Sequence, residues 1–271
     1  MTFTFRGRQV YYESHGQGRP LLFLNGIMMS CASWAPFVDA FTGAGYRLLL
    51  MDLMDQGKTA AFEEGYRTSD QAEMVSGLIR ALGLGQVDIM GTSYGGAVAL
   101  ELAIQYPEQV GRLMLAATRA WTDPLFSGMC ESWLHAVHSP QALYTATIPL
   151  FYGATFQQQQ PEWLASRRRL LEKTAFASAD FLARFTRLVR SILDLDLRAR
   201  LKDIKAPTLV LAPEEDLVML PWENRRIADG ITGAQLMTLY RTGHVLILER
   251  PELFVSLVKG WFSPVSPVAL P

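Results

Sequence analysis

The residues able to do chemistry in this chain concentrate around one stretch. Residues 86–106 read QVDIMGTSYGGAVALELAIQY: a short apolar run meets Gly91-Thr92-Ser93-Tyr94-Gly95-Gly96, then an Ala- and Leu-rich segment that stops at Pro107. The pattern predicts strand, sharp turn, helix. A G-x-S-x-G turn puts Ser93 on a strained bend with its hydroxyl presented, and Gly91 and Gly95 allow strand and helix to approach. The helix after Ser93 begins with unpaired backbone N–H groups, which would stabilise charge developing on a substrate oxygen. Ser93 is a candidate nucleophile; the plain alternative is a serine capping an ordinary helix.

A neutral hydroxyl needs a base within hydrogen-bond reach and a carboxylate that orients the base. The chain has four histidines, His15, His135, His138 and His244. His244 stands in RTGHV just after the last predicted strand, at the sheet edge where Ser93 also falls. Asp216, in LAPEED, lies between them in sequence at another strand end, and the order Ser, Asp, His is that of a nucleophile elbow. Glu214 and Glu215 are alternative acids if the register shifts, and Asp123 is a weaker one. His15 falls at a hairpin end, and His135 and His138 in a helical block. An oxyanion hole needs two converging N–H donors. Tyr94 supplies one, and Ile27, in the Asn25-Gly26-Ile27 turn, the other.

The elements that must position these groups follow from hydrophobic patterning. Residues 2–15 alternate, with Gly7 at a hairpin turn. The apolar runs 20–24, 46–53, 112–118, 207–212 and 235–240 read as strands of a mostly parallel sheet, and 69–82 and 251–261 as helices, the first with an N-cap at Ser69. Strands alternating with helices predict an α/β fold with helices on both faces. The alternation stops across residues 119–200, where 125–137, 140–150, 161–174 and 179–193 read as helices and 157–160 (QQQQ) as a loop. We expect a core of residues 1–118 and 201–263, a helical cap of 119–200 and a loose tail of 264–271.

Composition bounds the rest. Of 271 residues 49% are hydrophobic, enough for a sizeable core, and Lys plus Arg (25) nearly balance Asp plus Glu (26), so no nucleic-acid partner is expected. The opening MTFTFRGRQV lacks an apolar export core, and no apolar run approaches a membrane span of about 18 residues. A cytoplasmic location is the expectation. Two cysteines, Cys31 and Cys130, and no ligand-spaced histidines argue against a disulfide framework or zinc, and no cofactor is expected. Residues 56–59 (QGKT) resemble the end of a phosphate loop, but the earlier glycine is replaced by Asp52.

Taken together, the LNG of residues 24–26, Asp52 with the Gly57 turn, GTSYGG at 91–96, Asp216 before Pro221, and GHVLILERPE from Gly243 resemble the α/β-hydrolase fold family across residues 11–262. The resemblance implies an α/β-hydrolase fold with an inserted cap and a serine hydrolase site. Family members often carry His-Gly where this chain has Asn25-Gly26, and Gly where it has Pro213. The loop NGIMMSCASW is similar to that of 3-hydroxyacyl-carrier-protein acyltransferases, although Tyr94 replaces the tryptophan that follows their serine. A serine at the elbow disfavours the dehalogenases and epoxide hydrolases of this fold, which need a carboxylate there.

The cap's composition points to the substrate. Asn25, Met28, Met29, Met129, Trp133, Leu134, Phe151 and Trp163 are candidates to wall a pocket suited to an acyl chain. Arg184, Arg187 and Arg190 recur along one predicted helix, with Arg167-Arg168-Arg169 nearby. Such a stripe is ordinarily a solvated face, and an acidic acyl carrier protein is the partner it would otherwise suit. The expected function is serine esterase or thioesterase on a small-molecule acyl ester or thioester. Acyl transfer to an alcohol or thiol is the alternative, and a binding protein without turnover a third reading.

Overall fold

The computed structural model describes residues 1–263, so the expected tail at 264–271 lies outside the described residues. Eight strands form one sheet: β1 (Thr2–Phe5), β2 (Arg8–His15), β3 (Arg19–Leu24), β4 (Tyr46–Met51), β5 (Val87–Thr92), β6 (Val110–Ala116), β7 (Thr208–Pro213) and β8 (Gln235–Leu239). Their order is β1-β2-β4-β3-β5-β6-β7-β8. The pairs β1/β2 and β2/β4 are antiparallel, and all pairs from β4/β3 to β7/β8 are parallel. Arg6 and Gly7 both take positive φ (46° and 75°) in the β1–β2 turn, as a tight two-residue hairpin requires.

The parallel strands are apolar on both faces because both faces are covered. Alternate residues serve opposite cores. Leu22, Leu24, Ile89, Leu113 and Val210 face the helices α2 (Thr68–Ala81), α3 (Tyr94–Gln105) and α9 (Pro221–Gly230). Leu21, Phe23, Met90, Met114 and Leu211 face α1 (Val38–Thr42), α10 (Leu246–Glu249) and α11 (Pro251–Phe262). On that second face Phe254 of α11 meets Phe23, Trp34, Phe37 and Phe41 with ring centres 5.4–6.2 Å apart. Helix α2 is capped by Asp70, whose carboxylate accepts from the Arg67 N–H at 2.8 Å, and not by Ser69 as expected.

Between β6 and β7 the chain leaves the sheet and forms α4 (Pro124–Ala136), α5 (Pro140–Phe151), α6 (Ala154–Gln159), α7 (Pro161–Lys173) and α8 (Ala179–Ser191). The two ends of this excursion are tied together: Thr122 N–H donates to the Leu195 carbonyl at 2.9 Å and Leu197 N–H to Ala120 at 2.7 Å, around a Trp121–Asp196 bridge. Residues 157–159, expected as loop, are the last turn of α6, where the Gln157 amide donates to the carbonyls of Pro149 and Tyr152.

The arginine stripe of α8 is not a free face. Arg187 donates two bonds, 2.7 and 2.8 Å, to the fully buried carboxylate of Asp55, and Arg184 donates to the Thr59 carbonyl at 2.7 Å and to Asp180. Two of the three arginines therefore clamp the helical excursion onto the sheet domain; Arg190 alone is exposed. Among the described residues no helix is long and apolar enough to cross a membrane.

Candidate active site

Ser93 sits between β5 and α3 with φ 52° and ψ −121°, a left-handed backbone that a serine adopts only when its surroundings impose it. Those surroundings are identifiable. Ser93 N–H donates to Ala116 on β6 at 2.9 Å, and its carbonyl accepts from Gly96 N–H and from the Thr118 hydroxyl at 2.7 Å. A Cβ on Gly91 would lie 2.6 Å from the Gly95 carbonyl oxygen, and one on Gly95 would lie 2.3 Å from that of Leu24. The tight crossing of strand and helix is what both glycines permit.

Three chain segments bring the expected polar residues together. His244 Nε2 is 2.9 Å from Ser93 Oγ, and His244 Nδ1 is 2.8 Å from Asp216 Oδ2; all three residues are buried. A carboxylate can only accept, so Nδ1–H donates to Asp216, leaving Nε2 to accept from the Ser93 hydroxyl. The other Asp216 oxygen accepts from the N–H groups of Val218 and Met219 at 2.8 and 2.9 Å, which fixes the carboxylate plane.

The rival acids are committed elsewhere. Glu214 accepts from Arg241 N–H, Glu215 from the N–H and hydroxyl of Thr155 on α6, and Asp123 caps α4 through Phe126 N–H. Of the other histidines, His15 pairs with Glu13, His135 is exposed against its own helix, and His138 is exposed.

The His244 loop is braced against the cap helices. Glu249 accepts from Gly243 N–H at 2.7 Å and Gly153 N–H at 3.2 Å, and Val245 N–H donates to Phe151 at 3.2 Å. Burial pushes the Glu249 carboxyl above its usual range in spite of these donors. The Phe151 ring lies 5.5 Å from the imidazole.

Ile27 and Tyr94, the expected oxyanion donors, both border a cavity of about 20 Å³ that Ser93 and His244 also border. Tyr94 opens α3, so its N–H has no partner within the helix. Its phenol is buried between Gln71 Nε2 at 3.2 Å and Ser191 Oγ at 2.7 Å. The turn bond from Met29 N–H to the Gly26 carbonyl at 3.0 Å holds the Ile27 loop.

Asn25, expected against substrate, is instead the loop's internal brace. It is fully buried, donates to the Met51 carbonyl and Gln56 Oε1, and accepts from the Trp34 indole at 2.6 Å; Gln56 in turn donates to the Gly26 carbonyl. Asp52, behind it, accepts from Cys31 and Lys58 N–H groups, and Gly57 (φ 47°) makes room for its carboxylate. The QGKT segment is thus scaffolding of the same loop.

A larger cavity of about 310 Å³ opens beside Ser93 and His244. Met28, Met29, Phe151 and Trp163 wall it as expected, together with Ile148, Tyr152 and Phe176. Trp133 borders the small cavity, with its indole N–H donating to Ala146 at 3.0 Å. Met129 and Leu134 wall neither cavity; they pack, partly buried, among the cap helices. Tyr152 and Arg167 were not expected here. Their signal was weak, since Arg167 sits in a run of three arginines whose neighbours face outward.

The Alpha/beta hydrolase family model matches residues 21–257, and the chain belongs to that family. Among curated relatives it is 30% identical to a protein named putative carbamate hydrolase RutD of Variovorax paradoxus, over 97% of this chain and 99% of that one. Among solved structures it is similar to MGS-M2, an alpha/beta hydrolase enzyme from a Medee basin deep-sea metagenome library, with TM-score 0.95, 32% identity and coverage of 99% and 100% of the two chains. The fold also matches the enol-lactonase of Burkholderia xenovorans, at TM-score 0.84, 23% identity and 97% and 100% coverage.

Proposed function

We propose that this hydrolase cleaves carboxylic esters or thioesters through a covalent acyl-enzyme on Ser93. The observation that carries this reading is the unbroken chain from Ser93 Oγ through His244 to the doubly anchored Asp216, at the wall of a 310 Å³ largely apolar cavity. Ser93 attacks the carbonyl while His244 Nε2 takes its proton; Asp216 holds the imidazole and balances the imidazolium. The N–H groups of Ile27 and Tyr94 receive the developing oxyanion, each such donor contributing about 3–4 kcal/mol in comparable sites. His244 then returns the proton to the leaving group, and water repeats the sequence to free Ser93. The hydrolase names of the relatives support acyl chemistry at this site without fixing the leaving group.

Acyl transfer shares every step up to the acyl-enzyme and differs only in the acceptor, and the similarity of the residue 25–34 loop to acyltransferases keeps it as the second reading. Intact-mass analysis of wild type and Ser93→Ala with p-nitrophenyl esters of rising chain length and one acyl thioester, with and without added alcohol, tests both. The expected result is a Ser93-dependent acyl adduct that water clears. An adduct that persists until alcohol is added would establish transfer, and absence of any adduct or turnover would overturn the reading.

A further inference from the structure

Helix α7 turns one face to the large cavity, and that face carries an anomaly. Trp163, Arg167 and Leu171, spaced by four, all wall it. Apolar side chains suit such a wall; a partly buried guanidinium is out of keeping with it, because the part that is withdrawn from water wants an acceptor. The neighbouring arginines are satisfied. Arg168 Nε donates to Glu172 at 2.8 Å with its guanidinium 4.9 Å from the Tyr144 ring centre, and Arg169 donates to Ser166 at 2.9 Å. Arg167 Nε is buried without a hydrogen-bond partner, and among the described residues Arg167 forms no ion pair with a carboxylate. Tyr152 borders the same cavity. Burial pushes its phenol up to about 12 against the pull of the nearby Arg167 guanidinium, and the hydroxyl is protonated at neutral pH.

We propose that Arg167 is a specificity-determining residue for an anion: the substrate is an ester or thioester whose acyl chain ends in a carboxylate, a half-ester of a dicarboxylic acid. This deepens the reading of Ser93 as nucleophile and rests on it. The remote carboxylate meets the planar fork of Arg167, which matches carboxylate geometry better than a compact ammonium would, and accepts from Tyr152. The chain's methylenes run along Phe151, Ile148 and Phe176 towards Ser93. Water cleaves the bond between the carbonyl carbon and the leaving oxygen or sulfur, giving the dicarboxylate, the alcohol or thiol, and one proton.

The test compares kcat/KM for the mono-p-nitrophenyl esters of succinate, glutarate and adipate with uncharged p-nitrophenyl esters of equal chain length. Wild type, Arg167→Met, Arg167→Lys and, as an outward-facing control, Arg169→Met are measured. In wild type the carboxylate-to-neutral ratio peaks at one chain length. Arg167→Met lowers that ratio by about tenfold or more, the scale of a charge-assisted hydrogen bond, Arg167→Lys recovers part of it, and Arg169→Met leaves it where it was. Using the ratio separates recognition from folding. A second arm needs no turnover: glutarate and adipate raise the thermal midpoint of wild type and not of Arg167→Met. An unchanged ratio, or equal stabilisation of both proteins by the diacids, overturns the proposal. Diacid binding dependent on Arg167 but without turnover of any ester would uphold the anion site and overturn the hydrolase reading instead.

Discussion

At the scale of single residues, the site depends on which neighbour of His244 is left free to reach it. The sequence could offer Glu214, Glu215 and Asp216 in succession, and patterning alone fixes a strand end only to within a residue or two. Backbone geometry separates them: Glu215 is drawn to Thr155 of the cap, Glu214 to Arg241, and Asp216 alone meets His244. Replacing Asp216 by Asn should therefore lower kcat by about 10⁴-fold, because the imidazole loses its fixed tautomer, while folding survives. Glu215→Ala should leave kcat within a few-fold of wild type; steady-state ester hydrolysis of the two variants compares them. Asn25 shows the converse failure. A polar residue in the loop beside Ser93 reads as a substrate contact, and only the structure reveals that Trp34, Met51 and Gln56 use up its amide.

Among the elements, strands and long helices were legible because their apolar period is set by burial on one or two faces. Helices α6 and α10, of six and four residues, show too little period to read. The partner of α8 was equally hidden, since a charged helix face looks the same whether it meets water or a buried carboxylate 132 residues away. That pairing has a large expected energy. Arg187→Ala leaves Asp55 buried with only the Phe62 N–H and no counter-charge, and should destabilise the fold by about 3–5 kcal/mol, seen as a lower urea midpoint. Asp55→Asn combined with Arg187→Gln should recover part of the loss, since no uncompensated charge remains.

For the whole molecule, the architecture followed from the alternation of strand and helix, and its interruption marked the excursion; what no period could convey was how cap and sheet are fastened. One fastening is titratable. Glu249 receives Gly243 of the His244 loop and Gly153 of the cap, and burial raises its carboxyl from the ordinary 4.5. The folded chain then keeps a proton that the unfolded chain has already released, so the stability tied to this group is full in acid and is lost as pH rises through the folded value. Thermal midpoints of wild type relative to Glu249→Gln should accordingly fall as pH rises above the ordinary 4.5. An increase would reverse the sign and the assignment. The tie between residues 120–122 and 195–197 has a consequence of its own. Because the chain leaves and re-enters the sheet domain at nearly one point, the entropy of closing the excursion grows only slowly with its length, so residues added to its loops cost little. A foreign helical segment spliced at Trp121 and Asp196 would keep that closure but lose the Arg187–Asp55 pair and the Gly153 and Phe151 contacts to the His244 loop, so it would have to bring fastenings of its own.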